Sequence, residues 1–180
     1  ILGLAIFFGS ILLYIILHPF FKKQVAPKSI LMHQETTIGP IHKPIFNKIA
    51  IALDFSADDP KIISYAVGQG NKNSSYILLH VVESAGAKLL GKETDDYETR
   101  KDLEMLENYV TELRQQGYKA VAEAGFRNRV KEIVRIVNEN NADMLVMGAH
   151  GHRGLKDFIW GSTVNAVRHE LKIPVLVVTL

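Results

Sequence analysis

Between Lys48 and Leu180, five short apolar runs alternate with amphipathic segments, and no other feature narrows the possible fold as far. Lys48 to Phe55 (KIAIALDF), Tyr76 to Val82 (YILLHVV), Tyr118 to Ala124 (YKAVAEA), Ala142 to Met147 (ADMLVM) and Val175 to Leu180 read as strands. Helical spacing separates them. Ile62, Ile63, Ala66 and Val67 recur after Pro60, which fits a first helical turn. Tyr97 to Gln116 places Leu103, Leu106, Val110 and Leu113 on one face, and Gly117 reads as its C-cap. Val130 to Asn140 turns Val130, Ile133, Val134 and Val137 inward, and Ser162 to Leu171 aligns Val164, Val167 and Leu171. Ser56-Ala57-Asp58-Asp59 reads as a capping box. Glu83 to Glu98, polar with Gly86 and Gly91, reads as a mobile lid or crossover without assigned chemistry. The order β-α-β-α-β-α-β-α-β predicts a parallel sheet with helices on both faces and right-handed crossovers.

Such sheets bind ligands at the carboxyl ends of their strands. Asp54, Val82, Gly125 and the turn opening at Gly148 all fall there. Gly148 to Thr163 reads GAHGHRGLKDFIWGST, a glycine-rich passage from a strand into a helix. Glycine lets main-chain N–H groups converge, and the following helix adds unpaired N–H groups and the positive end of its dipole. The phosphates of a nucleotide are the expected guest. Arg153 and Lys156 are candidate phosphate contacts, and Trp160 is expected to pack the turn from outside. His150, His152, His169 and the more distant His80 invite a metal reading, but no carboxylate or cysteine completes a tight ligand set, so no metal site is assigned. The turn carries no Walker lysine and no spacing that demands a base, so no catalytic residue is assigned and a binding module is favoured over an enzyme.

Composition excludes some chemistry. The chain has no cysteine, hence no disulfide scaffold, thiolate metal site or cysteine nucleophile. The formal charge of +2 divides unevenly: residues 1–44 hold four Lys and one Glu, and the remainder holds 17 bases against 18 acids. A nearly neutral globular part gives no reason to expect nucleic acid as a partner.

Residues 1–21 (ILGLAIFFGSILLYIILHPFF) contain no formally charged side chain, and about 20 apolar residues suffice to cross a bilayer as a helix. Lys22 and Lys23 follow the run rather than preceding it, which opposes a signal peptide and predicts that this end faces the cytoplasm. Gly3, Ala5, Gly9 and Ser10 are small enough to admit a neighbouring helix. Since the chain opens on Ile, the run is expected to be the last transmembrane helix of a longer membrane protein. Residues 22–46, with Pro27, Gly39, Pro40 and Pro44, read as a cytoplasmic linker, and residues 47–180 as the globular domain.

That domain resembles the universal stress protein (UspA) family. The resemblance rests on the pattern G-2x-G-9x-G-[S/T], met by Gly148, Gly151, Gly161 and Ser162. It is supported by Ala52 to Ser56 (ALDFS), by His80 to Val82 (HVV) and by Gly161 to His169 (GSTVNAVRH). It implies an adenine nucleotide alpha hydrolase-like sheet of five parallel strands in the order 3-2-1-4-5, commonly dimeric through the last strand, here Val175 to Leu180. Members with the full glycine signature usually bind ATP, with or without Mg. By position, Asp54 and Val82 would lie at the adenosine end. Gly148, Gly151, Gly161, Ser162 and Thr163 would surround ribose and phosphates, and Met147 would line the pocket. The resulting expectation is a cytoplasmic ATP-binding domain at the inner membrane that regulates an attached transporter, for instance of divalent metal ions in the manner of Nramp carriers. The alternatives are a slow ATPase and a nucleotide-independent dimerisation module.

Overall fold

A computed structural model of the chain describes residues 2–21, 38–149 and 162–179. It divides into two compact units, Ile1–His42 and Lys43–Leu180. The first holds α1 (Leu2–Phe21), a 20-residue helix without an acidic residue in its first turn. Its described side chains, including Phe7, Phe8, Leu12, Leu13 and Ile15, are exposed. At about 1.5 Å per residue its backbone is about 30 Å long. The side chains of residues 2, 5, 6 and 19–21 are not among those described. Among described residues no helix is long and apolar enough to cross a membrane.

The second unit is built on β1 (Lys48–Leu53), β2 (Ser75–Val82), β3 (Lys119–Phe126), β4 (Met144–Ala149) and β5 (Val175–Thr179). All pairings are parallel and the spatial order is β3-β2-β1-β4-β5. The helices are α2 (Asp59–Gln69), α3 (Ala85–Leu90), α4 (Tyr97–Gln115), α5 (Arg129–Glu139) and α6 (Ser162–Glu170), with a 3-10 turn at Gly91–Glu93.

Side chains alternate across a strand, so both faces of a central strand must be apolar when both are covered. On one face Ile49, Ile51, Tyr76, Leu78 and Val146 pack with Ile62 and Ala66 of α2 and with Leu106, Val110 and Leu113 of α4. On the other Ala50, Ile77, Leu79 and Leu145 pack with Ile133, Ile136 and Val137 of α5 and with Val164, Val167 and Leu171 of α6. This is the predicted two-sided sheet.

Several local expectations need correction. Leu103 sits at the rim of the buried stripe of α4 and is 37 % exposed, and Thr99 joins that stripe instead. Ile136 joins Ile133 and Val137 as a buried residue of α5, while Val130 and Val134 pack partly buried against the same cluster. Glu83 to Glu98, read as a lid or crossover, carries α3, the 3-10 turn and the start of α4. Ser84 caps α3 by accepting the Ala87 N–H, and Asp96 caps α4 by accepting the Thr99 N–H at 2.7 Å. Ser84 Oγ also donates to Asp96 Oδ2, tying the two caps together. With Thr99 N–H first among its donors, followed by the Ser84 hydroxyl, Asp96 is held down to about 2. Gly117 does end α4: at φ +89° it lets Tyr118 N–H return to the Leu113 carbonyl.

Candidate functional site

The strand order reverses between β1 and β4, since β2 and β3 extend to one side of β1 and β4 and β5 to the other. The crevice outside the carboxyl ends of these two strands is where such a sheet presents ligands. Asp54 directly follows β1 and is exposed. Lys61 Nζ, in the first turn of α2, donates to the Thr179 carbonyl at the end of β5 at 2.9 Å, so the start of α2 is tied to the carboxyl end of β5. α6 ends four residues before β5 begins. It therefore runs back toward the amino edge, and its first turn, with Ser162 and Thr163, opens on the carboxyl edge.

The expected site residues fall unevenly on this frame. Val82 ends β2, fully buried, and Met147 is buried within β4 beside Ala52 of β1. Gly148 was expected to start the turn. It belongs to the strand instead: it pairs with Val178, and Ala149 pairs with Thr179. The neighbouring ladder of β5 continues, and its hydrogen bonds hold two more residues of β4 extended. Thr163 is half-buried in the first turn of α6. Gly151, Gly161, Arg153 and Lys156, with His150, His152 and Trp160, lie outside the described residues, as does the side chain of Ser162. Gly125 is buried near the end of β3, where an added Cβ would lie 2.7 Å from Glu132 Cβ of α5. Its role is close helix packing.

The turn after β1 holds residues whose part the sequence did not show. Asp59, read as one corner of a capping box, makes a different set of bonds. It is fully buried, and its carboxylate accepts the Phe55 N–H at 2.9 Å and the Asp54 N–H at 3.5 Å. Ser56 Oγ meets the Asp58 N–H rather than that of Asp59. The box fails because the acid reaches back past Ser56 to a backbone turned by Phe55, whose φ is +60°. Burial, and then the nearby charge of Asp54, push Asp59 up from 3.8 to about 6. Asp54 Oδ1 accepts the Ser56 N–H at 3.1 Å.

Phe55 stacks on His80 with ring centroids 4.1 Å apart, and Tyr109 meets it edge-on. His80 Nδ1–H donates to the Leu53 carbonyl at 2.9 Å, leaving Nε2 3.4 Å from Asp102 Oδ2. His80 thus braces the end of β1. Among the described residues no group of three His, Cys, Asp or Glu converges as a metal site. A groove of about 270 Å³ runs between α2 and α4, lined by Pro60, Ile63, Val67, Tyr109, Leu113 and Tyr118. It belongs to the helix layer rather than to the strand ends, and strand-end geometry outweighs it in locating the site.

A parallel sheet of this order, with an acid after β1 and a helix opening after β4, defines a doubly wound α/β domain. The universal stress protein family model matches residues 46–179, and the chain belongs to that family. Universal stress protein Slr1230 of Synechocystis is 31 % identical over 139 residues, which are 77 % of this chain and 45 % of that protein. The chain therefore spans less than half the length of that relative. Universal stress protein MJ0577 of Methanocaldococcus jannaschii is 28 % identical over 74 % of this chain and 95 % of its own. The solved structure of MJ0577 aligns at 27 % identity with a TM-score of 0.61, covering 76 % of this chain and 98 % of that one. Two further structures share the fold. One is a universal stress protein in complex with cAMP (17 % identity, TM-score 0.55, 75 % of this chain and 98 % of that one). The other is an Arabidopsis thaliana family protein with AMP bound (18 %, 0.50, 74 % and 91 %).

Proposed function

We propose that residues 46–179 bind an adenine nucleotide, ATP above all, at the carboxyl edge of β1 and β4. The carrying observation is that Asp54, the end of β4 and the first turn of α6 all belong to the carboxyl edge of the sheet where the strand order reverses. Asp54 accepts from ribose hydroxyls or the adenine amino group. The Val82 backbone reads the adenine edge and Met147 lines the pocket. Gly148, Gly151 and Gly161 give the phosphates access to main-chain N–H groups, to which Ser162, Thr163, Arg153 and Lys156 add donors. The bound nucleotides of the two family structures support this reading. Mass analysis of ligand released from freshly purified protein, with calorimetry of ATP binding, tests it. Ser162→Ala should weaken ATP about tenfold, the loss of one charge-assisted hydrogen bond. Unchanged affinity would remove Ser162 from the phosphate site, and no binding at millimolar ATP would end the nucleotide reading.

In the same proposal α1 lies in the inner membrane, with Lys22 and Lys23 and the family domain on the cytoplasmic side. Its 20-residue length and the exposure of Phe7, Leu12 and Ile15 support this. The domain regulates an attached transporter and pairs with a second copy along the edge strand β5. Divalent-metal uptake measured with and without residues 46–179 at varied ATP should differ; equal rates would remove the regulatory role. Leu176→Glu, on the edge strand, should convert a dimer to a monomer by light scattering, and a dimer that survives it would place the interface elsewhere.

A further inference from the structure

Asp54 stands where the sheet stops holding the chain. The β1–β4 ladder ends at Ala52 and the β1–β2 ladder at Leu53. Beyond that point side chains take over, and one imidazole serves the residues on both sides of Asp54. His80 Nδ1 lies 2.9 Å from the carbonyl oxygen of Leu53, the residue before it. That oxygen can only accept, so Nδ1 carries the proton and donates. The same ring lies on Phe55, the residue after it, with centroids 4.1 Å apart. The platform is stiff. His80 belongs to β2, where it pairs with Leu53 of β1 and Ala124 of β3, and its side chain is only 12 % exposed. The turn it holds is strained. Phe55 is a non-glycine residue at φ +60°, a conformation kept only where the surroundings enforce it. Asp59 engages the amides inside the turn, and His80 ties the turn to the sheet.

We propose that His80 is a positioning residue for Asp54. By gripping Leu53 and Phe55 it fixes where the Asp54 carboxylate stands at the end of β1, and so sets the affinity for the nucleoside part of the ligand. This inference rests on the adenine-nucleotide reading above. His80 acts through Asp54 and makes no contact with the nucleotide. A Leu53 carbonyl released from the ring frees the peptide unit that leads into Asp54, and the carboxylate moves with it. Hydrogen bonds weaken steeply with distance and angle, so a displacement of about 1 Å is enough to lose one to a ribose hydroxyl or the adenine amino group.

The test measures ATP affinity by calorimetry on the full chain in a non-ionic detergent, with urea unfolding to confirm that each variant is folded. Three substitutions separate the two grips. His80→Phe keeps a ring on Phe55 and removes the donor. It should weaken ATP about tenfold, the value of one hydrogen bond. His80→Asn puts a side-chain N–H in the place of Nδ1 and removes the ring. It should stay within about threefold of the wild type, the value of one aromatic pair. His80→Ala removes both and should bind more weakly than either. The decisive comparison repeats His80→Phe in an Asp54→Ala chain, where phosphate contacts keep ATP binding measurable. There it should cost less than about twofold, because the group through which it acts is gone. Asp54→Asn takes the place of Asp54→Ala if the latter binds no ATP. A tenfold loss in both backgrounds would mean that His80 supports the fold generally, and overturns the positioning role. So does wild-type affinity in His80→Phe, or a His80→Asn chain no better than His80→Ala. In each of these cases ATP binding by the wild type stands. Failure of the wild type to bind ATP overturns the nucleotide reading and the positioning role with it.

Discussion

Asp59→Asn should stabilise the fold, and only above mildly acidic pH. The acid sits at 3.8 in an unfolded chain and at about 6 in the folded one. Between those values the folded state holds more proton than the unfolded state, so stability falls as pH rises. The favourable contribution is complete below about 3.8 and lost as pH passes about 6. The full displacement corresponds to about 3 kcal/mol. Part of it comes from the charge of Asp54, which is exposed and screened, so about 1–2 kcal/mol is the realistic share. Asparagine cannot ionise, yet its amide oxygen still accepts the Phe55 N–H. Urea unfolding of residues 43–180, the unit that carries both core layers, would be measured for wild type and variant at pH 4.5 and 7.5. The variant should gain about 1–2 kcal/mol on the wild type between those two pH values. If the difference between the proteins is the same at both, Asp59 does not titrate in this range and the account of the turn is wrong.

Three other outcomes follow from single contacts. Gly125→Ala brings a Cβ to 2.7 Å from Glu132 Cβ and 3.1 Å from Val81 Cγ2, with backbone-anchored atoms on the helix side. A loss of about 1–3 kcal/mol in urea unfolding is expected, and a neutral substitution would mean that α5 can shift outward freely. Gly117→Ala meets nothing within 4 Å but must hold φ at +89°. Its cost of about 1 kcal/mol should therefore appear in stability with no change in nucleotide affinity. Asp96→Ala removes the acceptor shared by Thr99 N–H and the Ser84 hydroxyl. Hydrogen exchange at the Thr99 amide should accelerate well before the sheet amides do; equal protection in variant and wild type would show that the cap does not hold the α3–α4 junction.

The five strands and four of the five helices of the domain were legible without coordinates. Each announces itself by local periodicity: Ile49 and Ile51 against Ala50, or Ile62 and Ala66 one turn apart. The position of Asp54 after a strand was legible for the same reason, because a run of apolar residues that stops at an acid marks a strand end. Less was visible between Glu83 and Glu98. There α3 depends on the link from Ser84 to Asp96, twelve residues on, and no short-range pattern encodes that bond.

Pattern and spacing alone determined the alternation of elements, the two apolar faces of the sheet, and the convergence of strand ends on one edge. The tertiary structure decided how those pieces meet. It drew Gly148 into the ladder with β5, turned Asp59 away from its cap toward the amides of Asp54 and Phe55, and gave His80 the task of bracing β1. The reason is one of range. A hydrophobic period is set by neighbours within a turn or two of chain. Hydrogen bonds of side chains, and the desolvation that moves a proton, depend on atoms that come together only when the chain has folded.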